Sequence, residues 1–237
     1  MVDMLLTTRE EEILLAVIAS YIESGEPVGS TTIYKHFRLG IKPARIRSIL
    51  NKLEDNGWLR QIHTSGGRVP TDKAYEHFVR CELENIVTVK PNTFITRTVK
   101  SLLIGNQEQF VEDLSEHINL LTFAYNISDN NFTVAGLSEL VADFEEAEAS
   151  FFKELVINFE ELPDQVRTLA PKLNVDNNGP NVLIGTKNPF MLNEELSSIF
   201  DYISLDNGVA LIGIVGPKRM NYKNSLEVFI SLKTLLN

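Results

Sequence analysis

Apolar positions in the first third of the chain recur with a helical period and then switch to a strand-like one. Ile13, Leu14, Val17, Ile18, Tyr21 and Ile22 fall on one stripe behind Thr7 or Thr8 as a cap, and Gly25 ends it, which predicts a first helix. Glu26 to Gly29 predict a turn. Ser30 is placed to cap a short second helix carrying Ile33 and Phe37 and closing at Gly40. Lys42-Pro43 predict the start of a third helix, because the N–H that proline lacks is one a first turn leaves unbonded anyway. Ile46, Ile49, Leu50 and Leu53 form its stripe, and Asn56-Gly57 stop it. Trp58 to Ile62 then predict a strand, Gly66-Gly67 a tight turn using positive φ, and Val69-Pro70 a returning strand before Thr71 caps another helix.

The remainder predicts helices mixed with antiparallel strands. After a linker-like VTVKPNT (87–93), Phe110, Leu114, Ile118 and Leu121 mark a helix, and Phe132 to Ala135 a short strand. Phe151, Leu155, Phe159 and Leu162 mark a longer helix that Pro163 is expected to end. Asp176 to Pro180 predict a turn and Val182 to Ile184 a strand. Ile199–Leu205 and Val209–Val215 predict a hairpin through Asp206-Asn207-Gly208, followed by a last helix with Leu226, Phe229, Ile230 and Lys233. The expected class is α+β, in two domains: 1–86, then a linker over 87–105, then 106–237.

Composition narrows the function. With 43% hydrophobic and 23% charged residues the chain is an ordinary globular one, and its longest apolar runs are too short to span lipid. The first residues lack the basic and apolar regions of an export signal, and the single cysteine, Cys81, excludes an internal disulfide or a cysteine-clustered zinc site; both favour the cytoplasm. Cys81 reads as a helix residue and not a nucleophile. The net charge of -10 conceals an asymmetry, since Lys35 to Arg80 hold ten Lys/Arg against four acids whereas Cys81 onward holds 11 against 22. A basic reader joined to an acidic body is the implied arrangement, with a merely solvated basic face as the alternative.

The basic residues are also positioned. At about 100° per residue the side of helix three opposite its apolar stripe presents Ser48 and Asn51, flanked by Arg45, Arg47 and Lys52, which suits base edges and phosphates in a major groove. Helix two would brace it. Arg68, with His63, Thr64 and Ser65, would extend from the hairpin to phosphate or the minor groove; a structural hairpin with a solvated arginine is the alternative. The candidate DNA contacts are therefore Ser30, Thr31, Lys42, Ala44, Arg45, Arg47, Ser48, Asn51, Lys52, His63, Thr64, Ser65 and Arg68.

Chemistry finds little support. There is no H-E-x-x-H, G-x-S-x-G or Walker sequence, and the Gly213 to Arg219 segment lacks the spacing of a phosphate cradle. His36, His63, His77 and His117 show no ligand spacing, and Glu145, Glu146 and Glu148 are more simply solvated acids near a helix start. No catalytic residue, cofactor or metal is expected.

The Gly25 to Val79 segment, with GEPVGS, P-A-x-I-R, L-E-x-x-G-x-L and HTSxGRxPTDKxY, closely resembles the N-terminal winged helix of the bacterial heat-inducible transcription repressor HrcA family. IGTKNPF (184–190) and IGIVGPKRMNY (212–222) resemble that family's C-terminal segments. The resemblance implies a winged helix-turn-helix followed by a GAF-like α+β domain. It further implies a dimeric repressor that binds an inverted-repeat operator in double-stranded DNA upstream of chaperone genes, with a GroEL-type chaperonin as modulator. Two departures stand out: Arg45-Ile46-Arg47-Ser48 replaces the family's usual Thr-Ile-Arg-Asn, which alters two base-reading positions, and too few residues separate Leu121 from Phe132 for the family's inserted dimerising domain. The GAF-like domain is thus expected in reduced form, without the usual dimer surface. The other function in view is a protein-interaction or small-ligand sensor whose winged helix does not read DNA.

Overall fold

Eighteen residues of alternating burial organise the N-terminal part of this computed structural model, which describes residues 6–62, 66–86, 89–144, 149–173, 179–190 and 193–236.

 They are the buried apolar residues from Ile13 to Val79, Pro70 included, and each element interleaves them with exposed polar ones. The chain divides into two compact units, residues 1–81 and 82–237.

In the first unit, α1 (Thr8–Ser24) begins in a capping box: Thr7 Oγ1 accepts from the Glu10 N–H, and the Thr7 N–H donates to Glu10 Oε2 at 2.9 Å. Gly25, at φ 70°, closes it. Next come α2 (Ser30–His36) and α3 (Pro43–Asp55), with Pro43 in the first turn of α3 and Asn56 as its C-cap. Ile13, Val17, Ile18, Ile33, Ile46, Leu50 and Leu53 from the three helices are all buried, and burial of each such side chain stabilises by about 1.5 to 3 kcal/mol. β1 (Leu59–Gln61) and β2 (Arg68–Pro70) pair antiparallel, Arg60 opposite Val69, and α4 (Asp72–Asn85) follows. Thr71 Oγ1 accepts from the Ala74 N–H at the start of α4.

Three expectations for this unit are corrected. Gly29, not Ser30, is the N-cap of α2; Ser30 lies inside the first turn and is buried. α2 ends at His36 and not at Gly40, because Phe37 leaves the helix in an extended conformation. Gly67 does not supply a positive φ. Its role is steric: a Cβ there would lie 2.4 Å from the carbonyl carbon and oxygen of Pro27. That approach lets Val28 and Arg68 exchange two backbone hydrogen bonds of 2.9 Å, so the turn after α1 adds a third extended segment to the hairpin.

The second unit contains α5 (Thr93–Leu103), α6 (Gln107–Ile118), β3 (Leu121–Asn126), β4 (Asn131–Ala135), α7 (Leu137–Ala142), α8 (Ala149–Leu169), β5 (Asn181–Ile184), β6 (Leu196–Leu205), β7 (Gly208–Pro217) and α9 (Tyr222–Leu236). Its sheet is antiparallel throughout, in the order β4-β3-β7-β6-β5. The alternation of strand side chains sends Leu121, Phe123, Phe200 and Leu211 into one core with Leu140 of α7 and Leu155, Leu162 and Val166 of α8. α6 and α9 also pack on the sheet. The mixed α+β class is as expected.

Here too the sequence reading needs correcting. The proposed linker, 87–105, contains α5, whose Ile95, Val99 and Leu102 are buried and whose start is capped by Asn92 Oδ1, which accepts from the Ile95 N–H at 2.8 Å. Leu121 opens a strand and does not extend α6, because Asn119 turns left-handed and ends the helix. Pro163 lies inside α8; the stripe of Leu155, Leu162 and Val166 continues across it, so packing outweighs the one hydrogen bond that proline removes. β3 and β4 are joined by residues 127–130 alone, with Asn130 left-handed, which leaves no inserted domain at this point. Gly213 and Gly216 belong to β7 and not to a phosphate-binding loop, and the space beside Gly213 is filled by the Phe123 ring. The expected turn at Asp176–Pro180 and the acids Glu145, Glu146 and Glu148 lie wholly or mostly outside the described residues.

Candidate nucleic-acid interface

The amphipathic pattern of α3 fixes which side chains it can offer. Ile46, Ile49, Leu50 and Leu53 are buried, and Lys42, Ala44, Arg45, Arg47, Ser48, Asn51 and Lys52 are all exposed around the remaining surface. Among the described residues no ion pair engages Lys42, Arg45 or Arg47. The face therefore displays three cations, the Ser48 hydroxyl and the Asn51 amide on a rigid element, a donor set suited to phosphates and base edges. Thr31 is exposed on α2, whereas Ser30 is not available at the surface.

Two predicted contacts have partners inside the unit. Lys52 Nζ lies 2.5 Å from Glu10 Oε1, a carboxylate whose side chain is 9% exposed. The lysine's hydrogen bond is the main cause that lowers the Glu10 pKa to about 2, followed by the Thr7 N–H, while burial acts in the opposite direction. Arg68 Nε lies 3.1 Å from Glu54 Oε2, and its Nη2 donates to Asn51 Oδ1. With a side chain 13% exposed, Arg68 fastens the hairpin to α3, so it is not the solvated arginine of the alternative reading. The signal was present in the sequence as acidic Glu54 on the rim of the basic face; which cation it would capture depends on the hairpin's position. His63, Thr64 and Ser65 lie outside the described residues.

A second cluster escaped the sequence reading. His77 and Cys81 occupy one face of α4 at a four-residue spacing, and Glu11 of α1 meets them: His77 Nε2 to Glu11 Oε1 is 2.8 Å, Cys81 Sγ to His77 Nε2 3.6 Å, and Sγ to Oε1 3.9 Å. Counting spacing among histidines alone missed it, since the three donors are of three residue types.

Comparison with known proteins bears on both units. The family profile described as HrcA protein C terminal domain matches residues 73–226. The chain belongs to the HrcA family. Among HrcA relatives, the heat-inducible transcription repressor HrcA of Thermodesulfovibrio yellowstonii is 52% identical over 77 residues, covering 32% of this chain and 22% of that protein. The repressor HrcA of Thermoanaerobacter sp. (strain X514) is 34% identical over 138 residues, or 58% of this chain and 38% of that protein. The matched stretches thus span well under half the length of these curated relatives. A crystal structure of a hypothetical protein shares the fold at a TM-score of 0.78 and 16% identity, covering 98% of each chain. No helix is long and apolar enough to cross a membrane among the described residues.

Proposed function

We propose that this HrcA-family chain is a sequence-specific transcriptional repressor of chaperone genes, whose N-terminal unit is a winged helix-turn-helix and whose second unit is a reduced GAF-like domain. The observation that carries the proposal is the exposed, unopposed cationic face of α3, set on a helix whose other side is buried. In this reading α3 enters the major groove. Arg45, Ser48 and Asn51 address base edges; Lys42, Arg47 and the N-terminal turn with Ala44 address the backbone; Thr31 of α2 lies against a phosphate. Lys52 and Arg68 act mainly by fixing α3 against α1 and the hairpin. The operator is an inverted repeat, bound by a homodimer so that two readers meet two half-sites, and a GroEL-type chaperonin is the modulator that the family resemblance implies.

A gel-shift competition tests the reading. The full chain should bind a duplex carrying an inverted repeat from a chaperone promoter, and the same duplex with one half-site scrambled should compete at least about tenfold less well. Equal competition by both duplexes refutes sequence-specific repression.

A small-ligand role is favoured by one observation. A cavity of about 590 Å³ lined by Phe151, Glu154, Thr186 and Asn188 lies in the second unit, and Asn188 carries a buried Nδ2 without a hydrogen-bond partner among the described residues. Ligand-induced thermal stabilisation that Asn188→Ala abolishes, with no operator affinity even at low salt, would replace the repressor reading by that of a sensor.

A further inference from the structure

We propose that Glu11, His77 and Cys81 form a zinc site linking α1 to α4. Each contributes one donor atom, and the three donors come from two helices of the same unit. The geometry is already close to that of a bound ion. Tetrahedral zinc, with sulfur at about 2.3 Å and nitrogen or oxygen at about 2.0 to 2.1 Å, requires ligand separations of about 3.6 Å for S···N and S···O and about 3.4 Å for N···O. The observed separations are 3.6, 3.9 and 2.8 Å. The Glu11–His77 pair at 2.8 Å must open by about 0.6 Å as its hydrogen bond gives way to two metal bonds, and the Cys81–Glu11 pair at 3.9 Å must close by about 0.3 Å.

The chemistry of the donor set is that of a borderline-soft divalent ion. A carboxylate, a neutral imidazole and a thiolate together cancel the charge of Zn²⁺, whereas the thiolate disfavours Mg²⁺ and Ca²⁺. On binding, the Zn–S bond forms as the Cys81 thiol gives its proton to buffer, and the Nε2 lone pair of neutral His77 and one Glu11 oxygen complete the protein's share. Three ligands leave a fourth position for water. Side-chain exposures of 17% for His77 and 38% for Glu11 give an ion access from solvent. The Trp58 ring stands edge-on to His77 with centroids 5.4 Å apart, which limits how far the imidazole can turn. The four-residue spacing on α4 fixes the other two donors in register.

Equilibrium dialysis of the full chain against zinc, with Co²⁺ substitution as a spectroscopic probe, tests the site independently of any DNA binding. The expected result is one zinc per chain, release of about one proton per ion from the thiol at neutral pH, and a thiolate-to-cobalt charge-transfer band. Cys81→Ser should abolish that band and, like His77→Gln and Glu11→Gln, weaken zinc binding at least about tenfold, while His36→Gln leaves it unchanged. Circular dichroism shows whether each variant is folded, and the cobalt spectrum of the unsubstituted chain decides the matter if one is not. Binding of less than half an equivalent of zinc, absence of the cobalt band, or retention of affinity in folded Cys81→Ser overturns the proposal.

Discussion

Lys52, halfway out of the protein surface on α3, is joined at 2.5 Å to the nearly buried carboxylate of Glu10 in the first turn of α1. The same carboxylate completes the capping box with Thr7, so one acidic group terminates one helix and orients another.

Glu10→Gln should therefore destabilise the N-terminal unit by about 1 kcal/mol, through loss of the charge that Lys52 and the Thr7 N–H meet, because glutamine at this position still accepts the cap hydrogen bond and the exposed lysine end is screened by water. Folding lowers this carboxyl's pKa to about 2, so its contribution is fully present above the ordinary carboxylate value near 4.5 and disappears as pH falls through 2. Urea unfolding followed by the fluorescence of Trp58, the sole tryptophan, should show the gap between wild type and variant constant from pH 7 to about 5 and closing below it. A gap that widens in acid contradicts the assignment.

Gly67→Ala should cost about 2 kcal/mol or more, since the new methyl group meets backbone atoms of Pro27 and Val28 that no side-chain rotation can clear. The same fluorescence titration measures the loss. Gly40→Ala is a useful contrast: it has open space around its Cβ and only the strain of φ 69°, so it should cost about 1 kcal/mol.

Arg68→Ala should lower stability by about 1 to 3 kcal/mol by leaving Glu54 and Asn51 without their shared donor. In operator binding, Arg47→Ala should reduce the dependence of log affinity on log salt by about one phosphate contact. Arg45→Ala and Ser48→Ala should instead change which base is preferred, as selection from a random duplex pool would record. Identical losses on every sequence for all three substitutions would contradict this division.

In the second unit Asp201 of β6 is buried, burial raises its pKa, and Lys233 Nζ of α9 lies 3.2 Å from it. Because folding raises this carboxyl's pKa, the charge is a net burden that grows as pH rises above the ordinary carboxylate value. Lys233→Met alone should cost about 3 kcal/mol, whereas Lys233→Met combined with Asp201→Asn should cost far less. Calorimetry of the full chain and of both variants at pH 7 compares them; a double variant as unstable as the single one would argue for a net favourable ion pair.

Periodicity carried the helices and the exposed basic face of α3 because both depend on neighbours in sequence: the stripe of α3 is complete within thirteen residues. It failed where distant contacts decide. The stripe of Ile95, Val99 and Leu102 in α5 was legible, but flanking polar residues disguised it as linker; Pro163 looked like a stop because the packing that holds α8 together across it is tertiary. Arg68 and Lys52 were recognised as cations near the candidate surface, yet their carboxylate partners come from α3 and α1 across the fold. Gly67 was singled out for the wrong reason, since the clash it avoids involves a turn forty residues earlier.

Glu10 and Glu11 are consecutive, yet one grips Lys52 of α3 and the other His77 of α4. The opening of α1 is thus a yoke: two consecutive residues of one turn hold two other helices of the same unit.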